Sequence, residues 1–205
     1  MAYFIDILDI QLDLLGAGLL LLASWVFLNF SISYDKQKLS EINMDYGYFL
    51  VFLGIFALIF GFLGMFAWPL PSSYNLILVD PNVLHGIVLL ALGFASLNKA
   101  PLFGILLGIA FISIPIIVYG DVILHFSLTS SPTAAAALYI LIGIYGILSQ
   151  LLQTKAKRYW SFTALISFVL SGILSYYIGL EAIFEHTAGW MKYTPWVWLM
   201  INNVY

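Results

Sequence analysis

Long runs of apolar residues alternate with short polar or proline-containing segments along the whole chain. Uncharged apolar runs of roughly 18 or more residues are typical of membrane-spanning helices, because about 20 residues at 1.5 Å each cross a hydrocarbon core of about 30 Å. The pattern predicts an all-α polytopic membrane protein, a single bundle of six transmembrane helices. The predicted spans are 12–32, 46–67, 82–98, 102–126, 133–153 and 160–183.

Composition agrees with this class. The chain is 63% hydrophobic and 8% charged, whereas a soluble domain has about 25% charged residues. A water-soluble globule is therefore excluded, and the expected partner is the lipid bilayer, not nucleic acid. The chain has no cysteine, so disulfides and thiolate metal sites are excluded as well.

The basic residues predict an orientation. Six of the seven follow the first, third and fifth spans: Lys36, Lys38, Lys99, Lys155, Lys157 and Arg158. Because Lys and Arg are retained on the cytoplasmic side, both termini are predicted to be extracytoplasmic, with the protein in the cell membrane. The aromatic tail 187–205 is then predicted to lie in the outer interface, or to dock on another subunit of a membrane complex.

Small residues at helical spacing predict close helix packing. They are Gly54, Ala57, Gly61 and Gly64 in the second span, Gly104 and Gly108 in the fourth, and Thr163, Ser167, Ser171, Ser175 and Gly179 in the sixth. Pro115 is expected to kink the fourth helix.

Candidate chemistry gathers at the predicted outer side. Imidazole and carboxylate groups at several helix ends could bind a divalent metal. The candidates are His85, Asp121, His125, Glu181, Glu185 and His186. His85 is predicted to lie one turn inside the third helix, and no ionisable residue is predicted near the middle of a span, which argues against a proton pump.

Other interpretations of these residues stay open. His85 and His125 could be the axial ligands of a b-type haem, and Trp68, Tyr74 and His85 could line a quinone pocket. The carboxylates could equally be solvated groups at the interface.

Residues 68–86, WPLPSSYNLILVDPNVLHG, follow the second span. Trp68 is expected to anchor the helix end, and Pro69 and Pro71 to stop the helix and stiffen a turn. Asp80 and Pro81 have the pattern of an N-cap followed by a first helical proline, so residues 73–79 are predicted to cross the surface and the third helix to begin at Asp80.

This stretch resembles an uncharacterised family of archaeal and bacterial multi-pass membrane proteins, domain-of-unknown-function family 981. The similarity lies in Trp-Pro-Leu-Pro at Trp68–Pro71, Ser-Tyr-Asn at Ser73–Asn75 and Asp-Pro at Asp80–Pro81, with Ser72 where the family often has glycine. The resemblance implies an all-helical membrane fold and no particular activity, cofactor or substrate.

Three functions remain open from the sequence. The favoured one is a non-enzymatic membrane protein: an accessory subunit, a scaffold or an outward-facing ligand-binding protein. The alternatives are a metal- or haem-dependent membrane redox enzyme and a channel or carrier for a neutral solute, the last suggested by Pro115 and the hydroxyl groups of the sixth helix.

Overall fold

The computed structural model describes residues 7–70 and 73–190, with only the backbone of residues 189 and 190. Within these ranges, six α-helices are each long and apolar enough to cross a membrane, which confirms the predicted all-α, multi-pass class. The helices are α1 Leu8–Phe30, α2 Lys36–Ala67, α3 Ser73–Asn98, α4 Phe103–His125, α5 Pro132–Leu148 and α6 Lys157–Trp190, with a 3₁₀ helix at Ser149–Gln153 after α5.

The bundle has two chemically different ends. At the first, which we call the acidic end, the start of α1, the α2–α3 and α4–α5 connections and the end of α6 meet: Leu8, Leu70, Ser130 and His186 line one pocket there. At the other, the basic end, α1 ends, α2 begins and α3 ends around a second pocket that includes Lys36. The short connections make consecutive helices antiparallel.

Helices α2 and α3 approach each other closely at glycines. A Cβ atom added at Gly54 would lie 3.0 Å from the Gly86 carbonyl oxygen, and one added at Gly86 would lie 3.0 Å from the Gly54 carbonyl oxygen. Gly47 and Gly93 form a second reciprocal pair of this kind. The predicted packing role of the small residues in α2 is confirmed, because Gly54, Ala57, Gly61 and Gly64 are all buried.

Two further pairs, α1 with α6 and α4 with α5, pack in the same way. A Cβ added at Gly172 of α6 would lie 3.3 Å from the Gly16 carbonyl oxygen of α1. One added at Gly143 of α5 would lie 3.1 Å from the Ser113 carbonyl oxygen of α4.

The hydroxyl groups of α6 belong to this packing. Ser167, Ser171 and Ser175 are buried, and the Ser175 hydroxyl donates a hydrogen bond of 2.7 Å to the Leu12 carbonyl oxygen of α1. Such bonds join helices where lipid provides no hydrophobic drive for association. The bundle is therefore built from three close-packed helix pairs.

The packing role predicted for Gly104 and Gly108 is wrong. Nothing in the described structure lies within 4 Å of a Cβ added at either residue. These glycines lie on the outward surface of α4, away from its contact with α5 through Gly120. Glycine spacing shows that a close approach is sterically allowed, and the neighbouring side chains decide whether it occurs.

The predicted start of the third helix is also wrong. Helix α3 begins at Ser73, so Tyr74 and Asn75 are helical, and Asp80 and Pro81 lie inside the helix. A helix over residues 82–98 would rise only about 25 Å, less than the hydrocarbon thickness. Extension to Ser73 lengthens the span and buries Ile77 and Val79, which outweighs the local capping pattern.

Helix α3 continues past Pro81, although the proline leaves the Ile77 carbonyl oxygen without its usual helical donor. Proline has no N–H group and cannot make its helical hydrogen bond. The Asn82 side-chain nitrogen donates to the Leu78 carbonyl oxygen at 3.0 Å. This bond adds a hydrogen bond to the turn beside the proline, at the carbonyl next to the one that Pro81 leaves without a donor.

Some predictions concern residues outside the described ranges. Pro71 is one of them, as are residues 191–205 of the aromatic tail; residues 187–190 continue α6. The interfacial position of the tail stays a prediction. Pro115 lies inside α4, where it was expected.

Candidate functional site

The central histidine of the bundle is His85. Because α3 begins at Ser73, His85 lies near the middle of this 26-residue helix. The prediction that it lies one turn from the helix end is wrong, and so is the prediction that no ionisable residue is near the middle of a span. An ionisable side chain at this depth is costly and marks a candidate functional site.

Helix α1 makes room for the His85 ring at Gly18. A Cβ added at Gly18 would lie 2.6 Å from His85 Nε2, closer than non-bonded atoms approach. Any larger residue at position 18 would displace the imidazole. The glycine in α1 therefore fixes where the ring can lie.

His85 is 9% exposed, and its Nε2 atom has no hydrogen-bond partner within the described residues. No carboxylate lines the cavity beside it, so a charged imidazolium would be buried without an opposite charge, at a high free-energy cost. The neutral ring offers Nε2 as a single donor or acceptor, depending on its tautomer. A ligand or a water molecule could satisfy that atom.

The cavity has a volume of about 60 Å³ and lies between α1, α3, α4, α5 and α6. That volume is large enough to hold water. Its wall is mostly apolar, with Leu15, Leu19, Ile116 and Phe168 among the lining residues.

The polar lining residues of the cavity are Asn82, His85, Ser113 and Tyr139. Two of them already donate hydrogen bonds to their own helices: Asn82 as described above, and Ser113, whose hydroxyl donates to the Ile109 carbonyl oxygen at 2.8 Å. His85 and Tyr139 are the two polar lining residues with no hydrogen bond of this kind in the described part of the chain, and Asn82 keeps its carboxamide oxygen as an acceptor.

A larger pocket opens at the acidic end. It has a volume of about 280 Å³ and lies among α1, α3, α5, α6 and the α4–α5 connection. Tyr74, Thr129, Glu185 and His186 line it together with leucines, and Tyr139 lines both this pocket and the central cavity. We call the larger pocket the vestibule, because it shares the lining residue Tyr139 with the central cavity.

A hydrogen bond joins α1 and α6 beside the vestibule. His186 Nδ1 of α6 lies 3.0 Å from Asp9 Oδ2 of α1. It adds to the glycine contacts between α1 and α6.

The six predicted metal ligands do not form one site in the structure. His85 lies in the central cavity, Glu185 and His186 line the vestibule, and His125 is exposed at the end of α4 beside Phe126. Asp121 is exposed and Glu181 half-buried. Across residues 7–70 and 73–190, no three His, Asp or Glu side chains come together in a way that could hold a metal ion.

The residues proposed to bind a haem or a quinone also lie apart in the structure. His85 is buried and His125 is exposed, so the two rings do not face one cleft as axial haem ligands would. Of the proposed quinone residues, Tyr74 lines the vestibule and His85 the cavity, whereas Trp68 is 52% exposed at the end of α2.

Sequence reasoning missed three buried carboxamides. Asn75 is fully buried, donating from Nδ2 to the Gly64 carbonyl oxygen at 3.1 Å and accepting from the Leu70 backbone N–H at 3.3 Å. Asn82 supports the helix beside Pro81. Gln11 is 1% exposed, and neither polar atom of its side chain has a partner within the described residues. Asn75 and Asn82 are seven residues apart, about two helical turns, which places them on one face of a helix. This signal was missed because residues 73–79 were predicted to lie outside the helix.

Six apolar helices around a central cavity define a multi-pass helical membrane protein. The chain belongs to the family described as "Protein of unknown function (DUF981)", which matches residues 1–189. No curated protein and no solved structure matches the chain.

We predict that Asn75→Ala destabilises the protein by about 1–3 kcal/mol, because it leaves the partly buried Leu70 N–H without its acceptor and leaves the Gly64 carbonyl oxygen with only the Trp68 N–H as donor. Thermal unfolding in mild detergent measures the effect. The matched control is Asn98→Ala, which removes an exposed hydrogen bond to the Phe94 carbonyl oxygen and should change stability by about 0.5 kcal/mol or less. Equal effects of the two substitutions would contradict the role given to Asn75.

Proposed function

We propose that the protein is a non-enzymatic membrane protein that binds a small uncharged molecule in the central cavity. The observation that carries this proposal is a mostly apolar cavity lined by His85, whose Nε2 atom has no hydrogen-bond partner within the described residues. Ligand sites generally combine an apolar lining with a few convergent polar groups.

The chemistry of the cavity defines the ligand class. With no acidic or permanently charged side chain in its lining, the cavity offers no compensation for a ligand charge. A compact, mostly apolar ligand with one hydrogen-bonding group would satisfy His85 Nε2 and displace water from the leucines that line the cavity. The ligand would enter through the vestibule, past Tyr139.

A row of cavities favours a carrier for a neutral solute as the second candidate. Leu22, Val88 and Ile109 line both the central cavity and a further cavity of about 50 Å³ toward the basic end. That further cavity shares Trp25 with the pocket at the basic end. Movement of the bound molecule across protein-containing liposomes would distinguish a carrier from a binding protein.

We also propose that the acidic end is extracytoplasmic and that it meets other subunits of a membrane complex. The sidedness rests on the Lys and Arg residues at the opposite end. The vestibule would then open to the outside.

We predict that the wild-type protein, purified from its membrane in mild detergent, retains about one small non-protein molecule per chain, detectable by native mass spectrometry and identified after solvent extraction. Val88→Phe, which places a ring in the cavity wall, should lower this occupancy at least about tenfold. The matched control is Val118→Phe on α4, where the side chain is 54% exposed and the ring would face lipid. A wild-type protein with no bound molecule, or equal occupancy in both variants, would contradict the proposal.

Sidedness can be tested by labelling, because the chain has no cysteine of its own. Ser130→Cys lies at the acidic end and Ala156→Cys at the basic end, and both positions are exposed. In intact cells a membrane-impermeant maleimide should label position 130, and position 156 should react only after permeabilisation. The reverse pattern would invert the orientation.

A further inference from the structure

A second pocket, remote from the central cavity, lies at the basic end of the bundle. It has a volume of about 420 Å³ and lies between the end of α1, the start of α2 and the end of α3. Its polar lining residues are Asn29, Lys36, Ser40, Asn43, Ser96 and Lys99. None of the described lining residues is acidic, so the pocket carries a net positive charge.

The two lysines of this pocket are unpaired. Neither the Lys36 nor the Lys99 ammonium group forms an ion pair or a side-chain hydrogen bond within the described residues. The nearby basic residue Lys38 differs, because its Nζ atom lies 3.4 Å from Glu41 Oε2. Asp35 is engaged by the backbone of α2, where it accepts a hydrogen bond from the Lys38 N–H at 2.8 Å.

A buried hydroxyl also lacks a partner at this pocket. Ser96 is 7% exposed and lines the pocket, and its Oγ atom has no hydrogen bond in the described structure. Buried polar groups are nearly always satisfied, so an unsatisfied hydroxyl in a pocket wall is evidence for a missing ligand or water. A hydroxyl can donate to an anionic oxygen in a short, charge-assisted bond.

One side of the pocket is already ordered. The Trp25 indole nitrogen donates to Asn43 Oδ1 at 2.9 Å, which orients the Asn43 carboxamide so that its NH₂ group remains available as a donor. The Asn29 side-chain nitrogen donates to the Trp25 carbonyl oxygen at 2.9 Å. These two hydrogen bonds order the pocket wall and do not involve Lys36 or Lys99, so both ammonium groups remain available.

Lys99 occupies a backbone position that favours glycine. It follows the last residue of α3 with a φ of 51°, and the Ala100 N–H donates to the Ala95 carbonyl oxygen in the pattern of a helix-ending turn. A side chain in the left-handed region costs energy that glycine would avoid. Here the residue with that conformation also supplies a positive charge to the pocket.

We propose that this pocket binds a phosphate group, either that of an anionic phospholipid headgroup or that of a soluble phosphate. The carbonyl ends of α1 and α3 lie here along with the amino end of α2, so the helix dipoles alone do not favour an anion. Lys36 and Lys99 supply the attraction, and Ser96 and Asn43 supply directed donors. Leu39 and Leu102 provide the apolar part of the wall.

The test is a binding titration of the full chain in mild detergent, followed by native mass spectrometry. The probes are phosphatidylglycerol, a diacylglycerol with the same acyl chains, and inorganic phosphate. We expect saturable binding of phosphatidylglycerol at least about tenfold tighter than that of the diacylglycerol. Tight lipid binding that millimolar inorganic phosphate does not displace would identify a lipid headgroup; displacement by phosphate would show that a soluble phosphate also reaches the site.

Three substitutions test the residues. Lys36→Gln combined with Lys99→Gly should weaken phosphatidylglycerol binding at least about tenfold, and Ser96→Ala should weaken it about threefold. Lys99→Gly suits the local backbone and should fold, so the single variant also reports on binding.

The matched control is Lys155→Gln combined with Arg158→Gln, which removes the same charge from the α5–α6 connection and the first turn of α6 and should leave the affinity unchanged. Equal affinity for phosphatidylglycerol and diacylglycerol, or equal loss in the two double variants, would overturn the proposal.

Discussion

The close approach of helix backbones at glycines is the contact on which the rest of the structure depends. Lipid is as apolar as a leucine side chain, so transmembrane helices associate through close packing and hydrogen bonds. In the α2–α3 pair, Gly54 faces Gly86 and Gly47 faces Gly93, with each glycine leaving room for the carbonyl of the other. The α1–α6 and α4–α5 pairs also approach each other at glycines, among them Gly172 in the first pair and Gly143 in the second.

This arrangement explains where the cavities lie. Each pair is tight internally, whereas the helices of different pairs meet through larger side chains and leave space between them. The central cavity lies in that space, and every helix except α2 contributes residues to its wall. His85 belongs to α3, but its position is set across the gap by Gly18 of α1. A neutral imidazole in an apolar wall is a minimal recognition site for an uncharged ligand.

The lengths of the apolar runs were sufficient to predict six spans. The spacing of small residues was sufficient to predict the close packing of α2. The start of α3 could not be predicted from the Asp80–Pro81 pattern, because burial of Ile77 and Val79 and the thickness of the membrane outweigh a local cap. Because α3 begins at Ser73 and not at Asp80, His85 lies near the middle of the helix and not near its end. The role of Asn75 could not be assigned beforehand, since its backbone partners at Gly64 and Leu70 lie outside α3 and their positions depend on the tertiary structure. The Leu78 partner of Asn82 is one turn earlier in the same helix and was missed because residues 73–79 were predicted to cross the surface.

The central claim is that glycine contacts within the pairs hold the bundle together. Its most direct test compares the thermal midpoints of Gly54→Ala and Gly108→Ala in mild detergent. A methyl group at position 54 would lie 2.9 Å from the Leu90 backbone nitrogen, whereas one at position 108 meets nothing within 4 Å. Gly54→Ala should lower the midpoint by about 5 °C, and Gly108→Ala should leave it unchanged or slightly raised. Equal midpoints for the two variants would contradict the account.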